Sequence, residues 1–156
     1  MLSYIIPFLI LILVVVFIHE YGHYYFARKY GVGVTDFSIG FGKELFGWND
    51  KSGTRWKICV IPLGGYVKFF GDRNVYSQAD HQEILEKYNE QERKKLFILK
   101  PLYQRVLIVF GGPLANFLYY IYDTLNFLRY KKIFLDRLKY LGQLNNLLHI
   151  FFQIPI

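Results

Sequence analysis

The stretch His19-Glu20-Tyr21-Gly22-His23 follows directly on an apolar run that begins at Leu2 and is interrupted only by Ser3 and Pro7. On a helix, two histidines four positions apart lie within roughly 40° of one another and about one turn apart along the axis, so both imidazoles can reach one metal ion. A glutamate directly after the first histidine completes the pattern H-E-x-x-H, in which the histidines hold zinc and the glutamate handles a water proton. His19 and His23 are therefore the candidate zinc ligands, and Glu20 is the candidate catalytic base. A soluble metalloprotease would carry this pattern on an amphipathic helix in a globular cleft. Here the preceding residues are almost uniformly apolar. A zinc centre at the end of such a helix implies proteolysis at or inside a bilayer. The alternative, ordinary polar residues at a helix end, is the weaker reading because ionisable groups in a membrane are costly and usually mark function.

Hydrophobic residues make up 53% of the 156, and they concentrate at 2–18, at 106–122 and at 140–156. A spanning helix needs about 20 apolar residues, with a range of roughly 17–25. The first block qualifies when extended through the histidines, and 106–122 just meets the range. The third block carries Gln143, Asn145, Asn146, His149 and Gln153 and is more polar. The expected fold class is membrane α-helical with a small membrane-associated β-sheet, two transmembrane helices and a third, more polar apolar segment. The expected organisation is a first transmembrane helix with the zinc motif over 1–30, a β-region over 31–72, a polar cytoplasmic linker or helix over 73–105, a second transmembrane helix over 106–122 and a tail over 123–156.

The formal net charge is +7. Of the 19 Lys and Arg, 14 lie between Arg28 and Arg105, five lie between Arg129 and Lys139, and none precedes the first apolar block. They form no stripe or recognition helix, so the expected partner is the lipid bilayer and not nucleic acid. The positive-inside rule puts residues 28–105 in the cytoplasm and the N-terminus outside. The single cysteine, Cys59, excludes an internal disulfide and reads as a small, half-buried residue. The N-terminal block has no basic start and no small-residue cleavage site, so it reads as a retained anchor.

Val32, Val34, Phe37 and Ile39, with Gly33, Gly40 and Gly42, predict strand and tight turn. Residues 48–53 supply turn chemistry, and 55–61 alternate basic and apolar residues as a two-faced strand does. Pro62-Leu63-Gly64-Gly65 predicts a break, after which 66–70 resume extended structure. Gly64 and Gly65 would let another backbone approach closely. A substrate helix must unwind before it is cut, and an exposed strand edge can capture the extended chain by β-augmentation. Gly111-Gly112-Pro113 interrupts the second apolar block, where small residues permit close helix approach. Asn116 follows three residues after the proline. Its amide either stabilises charge developing near the metal or serves as an interhelical hydrogen bond.

Three motifs occur in order over residues 1–118: the histidine pattern closing a first membrane helix, the segments 37–42 and 55–68, and Gly111-Gly112-Pro113-Leu114-Ala115-Asn116-Phe117. Together they resemble the site-2 protease family of intramembrane zinc metalloproteases, in the branch of the bacterial regulator of sigma-E protease. The resemblance implies a Zn2+-dependent endopeptidase that cleaves membrane-spanning protein substrates in regulated intramembrane proteolysis. It implies a multi-pass protein of the bacterial inner membrane, with Asn116 contacting the substrate backbone or the oxyanion and Gly64 and Gly65 in the substrate-capturing strand. Family members carry PDZ-like domains and a third zinc ligand, an aspartate in a Leu-Asp-Gly motif, and neither occurs here. Asp123 is the aspartate nearest a membrane helix, and His81 and His149 have no assigned role. The resulting expectation is a truncated protease lacking the third ligand. The alternative is a catalytically inactive membrane remnant of a split or decayed protease gene.

Overall fold

The computed structural model describes residues 2–72 and 87–152, with side chains over 4–72 and 87–143. Residues 73–86 of the polar linker, His81 among them, the His149 side chain and residues 153–156 lie outside the described set. The chain divides into two compact units, 1–117 and 118–156. The second consists, as far as it is described, of helix alone.

Helix α1 (Leu2–Lys29) is long and apolar enough to cross a membrane. Tyr4, Ile5, Ile6, Phe8, Ile10 and Leu11 are all more than half exposed. A water-soluble surface rarely leaves such a contiguous apolar patch open. The helix ends in a Schellman motif: Gly31 adopts φ +68°, its N–H bonds the Arg28 carbonyl at 3.1 Å, and the Val32 N–H bonds the Ala27 carbonyl at 2.8 Å. Arg28 and Lys29 occupy the last turn, where cations complement the helix dipole.

Strands β1 (Val34–Asn49) and β2 (Arg55–Phe69) form one antiparallel sheet. Each folds back on itself. Residues 34–39 of β1 lie against 65–69 of β2, residues 44–49 lie against 55–59, and 36–39 also have 55–58 as neighbours. Residues 65–69 therefore pair on one side only, and their other edge carries no strand among the described residues. The break expected at 62–65 is absent: β2 runs through Pro62. A proline can sit in a strand where no ladder bond is required of it. The pairing partner changes there instead, from Phe41 opposite Ile61 to Ile39 opposite Gly65, with Gly64 at φ +114°. The turn between the strands is pinned by Asp50, whose Oδ1 accepts the N–H groups of Ser52 at 2.8 Å and Thr54 at 2.9 Å.

An aromatic cluster docks this sheet on α1. Phe37 is fully buried, stacks on Trp56 with centroids 4.2 Å apart, and meets Phe17 and Tyr24 edge-on. Tyr24 Oη and Trp56 Nε1 both donate to Asp50 Oδ2, at 3.2 and 3.1 Å. The polar connection resolves into a short helix α2 (Glu90–Arg93), which opens on an Asn89–Glu92 capping box, and a 3-10 turn (Phe97–Leu99).

Helix α3 (Leu102–Phe152) contains Pro113 and is the second helix long and apolar enough to span a bilayer. The apolar segment expected over 140–156 does not form a separate helix among the described residues. Residues 140–152 continue α3, because no proline or glycine pair interrupts the chain between 114 and 152. Ala27, Val32, Val34 and Ile108 form the small buried core of the first unit.

Candidate metal centre

Helices α1 and α3 meet backbone to backbone. A Cβ at Gly22 would collide with the Gly111 carbonyl, and one at Gly111 would lie 2.6 Å from the Gly22 oxygen. That proximity brings the end of α1 under the first turns of α3. His19 and His23 stand edge to face with ring centroids 4.9 Å apart. Both turn Nε2 to the same point, the open face of Gly112. A Cβ there would sit 2.7 Å from His19 Nε2 and would collide with His23 Nε2.

The other ring nitrogens are engaged. His23 Nδ1 lies 2.9 Å from the Ile108 carbonyl oxygen. A carbonyl only accepts, so Nδ1 carries the proton and the Nε2 lone pair is left for a ligand. His19 Nδ1 lies 3.1 Å from the Asn116 amide nitrogen, and Asn116 Oδ1 is buried without a partner among the described residues.

The donor set fits zinc. Two imidazole nitrogens converge on a space that a glycine keeps open, and His23 has the hydrogen bond from its far nitrogen that metal-bound histidines require. No set of three or more His, Cys, Asp or Glu side chains able to hold a metal occurs among the described residues.

The Glu20 side chain lies against β2. A Cβ at Gly65 would lie 2.9 Å from Glu20 Cγ and 3.1 Å from Val16 Cγ1. Gly65 is thus the residue that lets the strand pass against Glu20, whereas a Cβ at Gly64 would meet the Phe41 ring at 2.6 Å. No hydrogen bond engages the Glu20 carboxylate among the described residues. Gly112 and the Ile108 carbonyl were not singled out from sequence as parts of the site. The glycine pair at 111–112 reads as helix packing, and a backbone carbonyl has no side-chain signature.

Outside the helices, Lys57 pairs with Asp36 at 2.6 Å. Burial raises the Asp36 carboxyl, but hydrogen bonds from Lys57 and Thr35 and the Lys57 charge outweigh it, and its pKa lies below the ordinary value. Burial lowers the Lys57 ammonium, but bonds to Asp36 and Tyr66 outweigh that and hold its pKa above the ordinary value.

Convergent imidazoles at the end of an apolar helix, with a carboxylate one residue from the first, match the H-E-x-x-H pattern of zinc metalloproteases. Residues 7–133 match peptidase family M50. The chain belongs to that family, the site-2 proteases, and corresponds to its N-terminal part. It is 53% identical over 117 residues to a Mesorhizobium japonicum protein named "putative zinc metalloprotease", covering 75% of this chain and 32% of the relative. It is 43% identical over 120 residues to metalloprotease MmpA of Caulobacter vibrioides (72% of this chain, 30% of the relative). It is 42% identical over 115 residues to the regulator of sigma E protease of Haemophilus influenzae (74% and 24%). The chain thus spans about a third or less of the length of the curated relatives it matches.

Proposed function

We propose that this chain supplies the N-terminal part of a zinc-dependent intramembrane endopeptidase that cleaves membrane-spanning protein substrates. The observation that carries the reading is the convergence of His19 and His23 Nε2 on the face of Gly112, at the end of a helix whose apolar side chains are exposed. His19 and His23 hold the metal. When bound, zinc would supply a Lewis acid that activates a water and polarises the scissile carbonyl. Glu20 accepts the water proton and passes it to the leaving amine.

The free edge of 65–69 presents the substrate as an extended strand. Gly65 brings that edge against Glu20, so a captured peptide runs past the base. The exposed Phe41, Leu45, Phe46, Val60 and Leu63 of the sheet suit contact with lipid. In this reading the protein is a multi-pass component of a bacterial inner membrane. Its N-terminus lies outside and residues 28–105 face the cytoplasm, supported by 14 basic residues after α1 begins its last turn against none before.

The test is zinc content and cleavage of a membrane-helix substrate by the detergent-purified protein. Wild type is expected to hold zinc that His23→Ala loses, and Glu20→Gln is expected to keep the metal but lose cleavage. The lack of a three-donor set among the described residues favours, as a second reading, a catalytically inactive remnant of such a protease. Zinc uptake insensitive to His23→Ala, with no cleavage, would decide for the remnant.

A further inference from the structure

Among the described residues, the Asn116 amide is the one polar side chain of α3 that touches a candidate ligand, and its present pairing is chemically incomplete. Its nitrogen faces His19 Nδ1 at 3.1 Å, and its oxygen is buried with no partner. Two proton arrangements fit the same heavy-atom positions, because amide oxygen and nitrogen are nearly interchangeable in shape. In the first, the amide N–H donates to Nδ1. The neutral ring then carries its proton on Nε2, which points at the Gly112 cradle and at His23. That ring has no lone pair to offer a metal. In the second, the amide is turned over, and its oxygen accepts a proton carried by His19 Nδ1. The buried oxygen then gains the partner it lacks, and the Nε2 lone pair faces the cradle.

We infer that Asn116 is a positioning residue for the metal centre: its side-chain oxygen accepts the His19 Nδ1 proton and so commits Nε2 to the metal. This inference rests on the zinc reading given above. It makes the two histidines equivalent. His23 is set by a backbone carbonyl of α3 at Ile108, and His19 is set by a side-chain carbonyl of the same helix two turns later. Partners of this kind typically hold about 10- to 100-fold in metal affinity. The arrangement also leaves the amide NH2 as a buried donor beside the site.

The experiment is nitrogen NMR of isotope-labelled histidine in the detergent-purified chain at about pH 8, where imidazole is neutral, together with zinc affinity by competition with a chelating dye. In the wild type, His19 is expected to be protonated at Nδ1. Asn116→Leu, similar in volume but without an acceptor, is expected to release that tautomer and weaken zinc binding by about 10- to 100-fold. Asn116→Asp, which can only accept, is expected to keep the tautomer and the affinity. A wild-type His19 protonated at Nε2 would overturn the inference, as would Asn116→Leu with undiminished affinity or an Asn116→Asp variant as weak as the leucine. If Asn116→Leu does not fold, the wild-type tautomer and the aspartate variant decide. Zinc uptake unaffected by His19→Ala would remove the metal-centre reading itself, while the tautomer measurement still tests the hydrogen bond.

Discussion

His23 donates its Nδ1 proton to the Ile108 carbonyl across 2.9 Å, joining α1 to α3 over 85 positions of sequence. The acceptor is backbone, so no substitution at 108 removes it. The ring cannot rotate without breaking this bond, and its Nε2 stays aimed at the cradle. Replacing His23 with Ala is expected to lower zinc affinity by at least about tenfold, measured as bound zinc per chain.

Gly112→Ala separates stability from metal binding. Alanine favours helix over glycine by about 1 kcal/mol. Its methyl group, however, would stand in the space on which both Nε2 atoms converge. The collision with His19 and His23 opposes that gain, so thermal unfolding in detergent is expected to change little, while bound zinc falls sharply. A variant that binds zinc as the wild type does would show that the cradle lies elsewhere.

Gly22→Leu acts on the helix crossing. Any side chain at 22 collides with the Gly111 carbonyl. Over-packing of this kind costs about 1–3 kcal/mol, and here it would force α1 and α3 apart. Loss of zinc and a lower unfolding temperature are expected together, in contrast to the Gly112 variant.

Phe37→Ala removes the centre of the aromatic cluster that seats the sheet on α1. Truncating a buried phenylalanine costs about 3–5 kcal/mol. The sheet is expected to detach before the helices unfold, read as a shift in Trp48 and Trp56 fluorescence at a temperature where helical circular dichroism persists.

The Asp36–Lys57 pair sets a pH window for the sheet. A carboxyl whose folded pKa is depressed adds stability above its unfolded value, near 3.8, and loses it as pH falls through the lower folded value. An ammonium whose folded pKa is raised adds stability below its unfolded value, near 10.5, and loses it as pH rises through the higher folded value. Tryptophan fluorescence is therefore expected to report a plateau between those two values and a decline beyond each. Lys57→Met is expected to weaken both declines.

The histidine pair was legible in the sequence because both ligands lie within one helical turn, so their convergence follows from helix geometry alone. The end of α1 was legible for a similar reason: Gly31 after Arg28 and Lys29 is a local signal, and the cap uses only residues within five positions. The partners of the imidazoles were not legible. His19 meets Asn116 over a separation of 97 residues, and nothing local links them. Pro62 reads as a break because proline lacks an N–H, yet the strand needed no bond from it. The segment at 140–156 looks separate because its polarity changes, but helix continuity depends on backbone bonds and not on polarity.

Every device that orients the two imidazoles belongs to α3, whereas the imidazoles themselves belong to α1. A nascent polypeptide that has emerged from the ribosome only as far as the sheet therefore carries bare, freely rotating rings. In the proposed reading, orientation of the imidazoles toward a metal therefore waits on synthesis of residue 116.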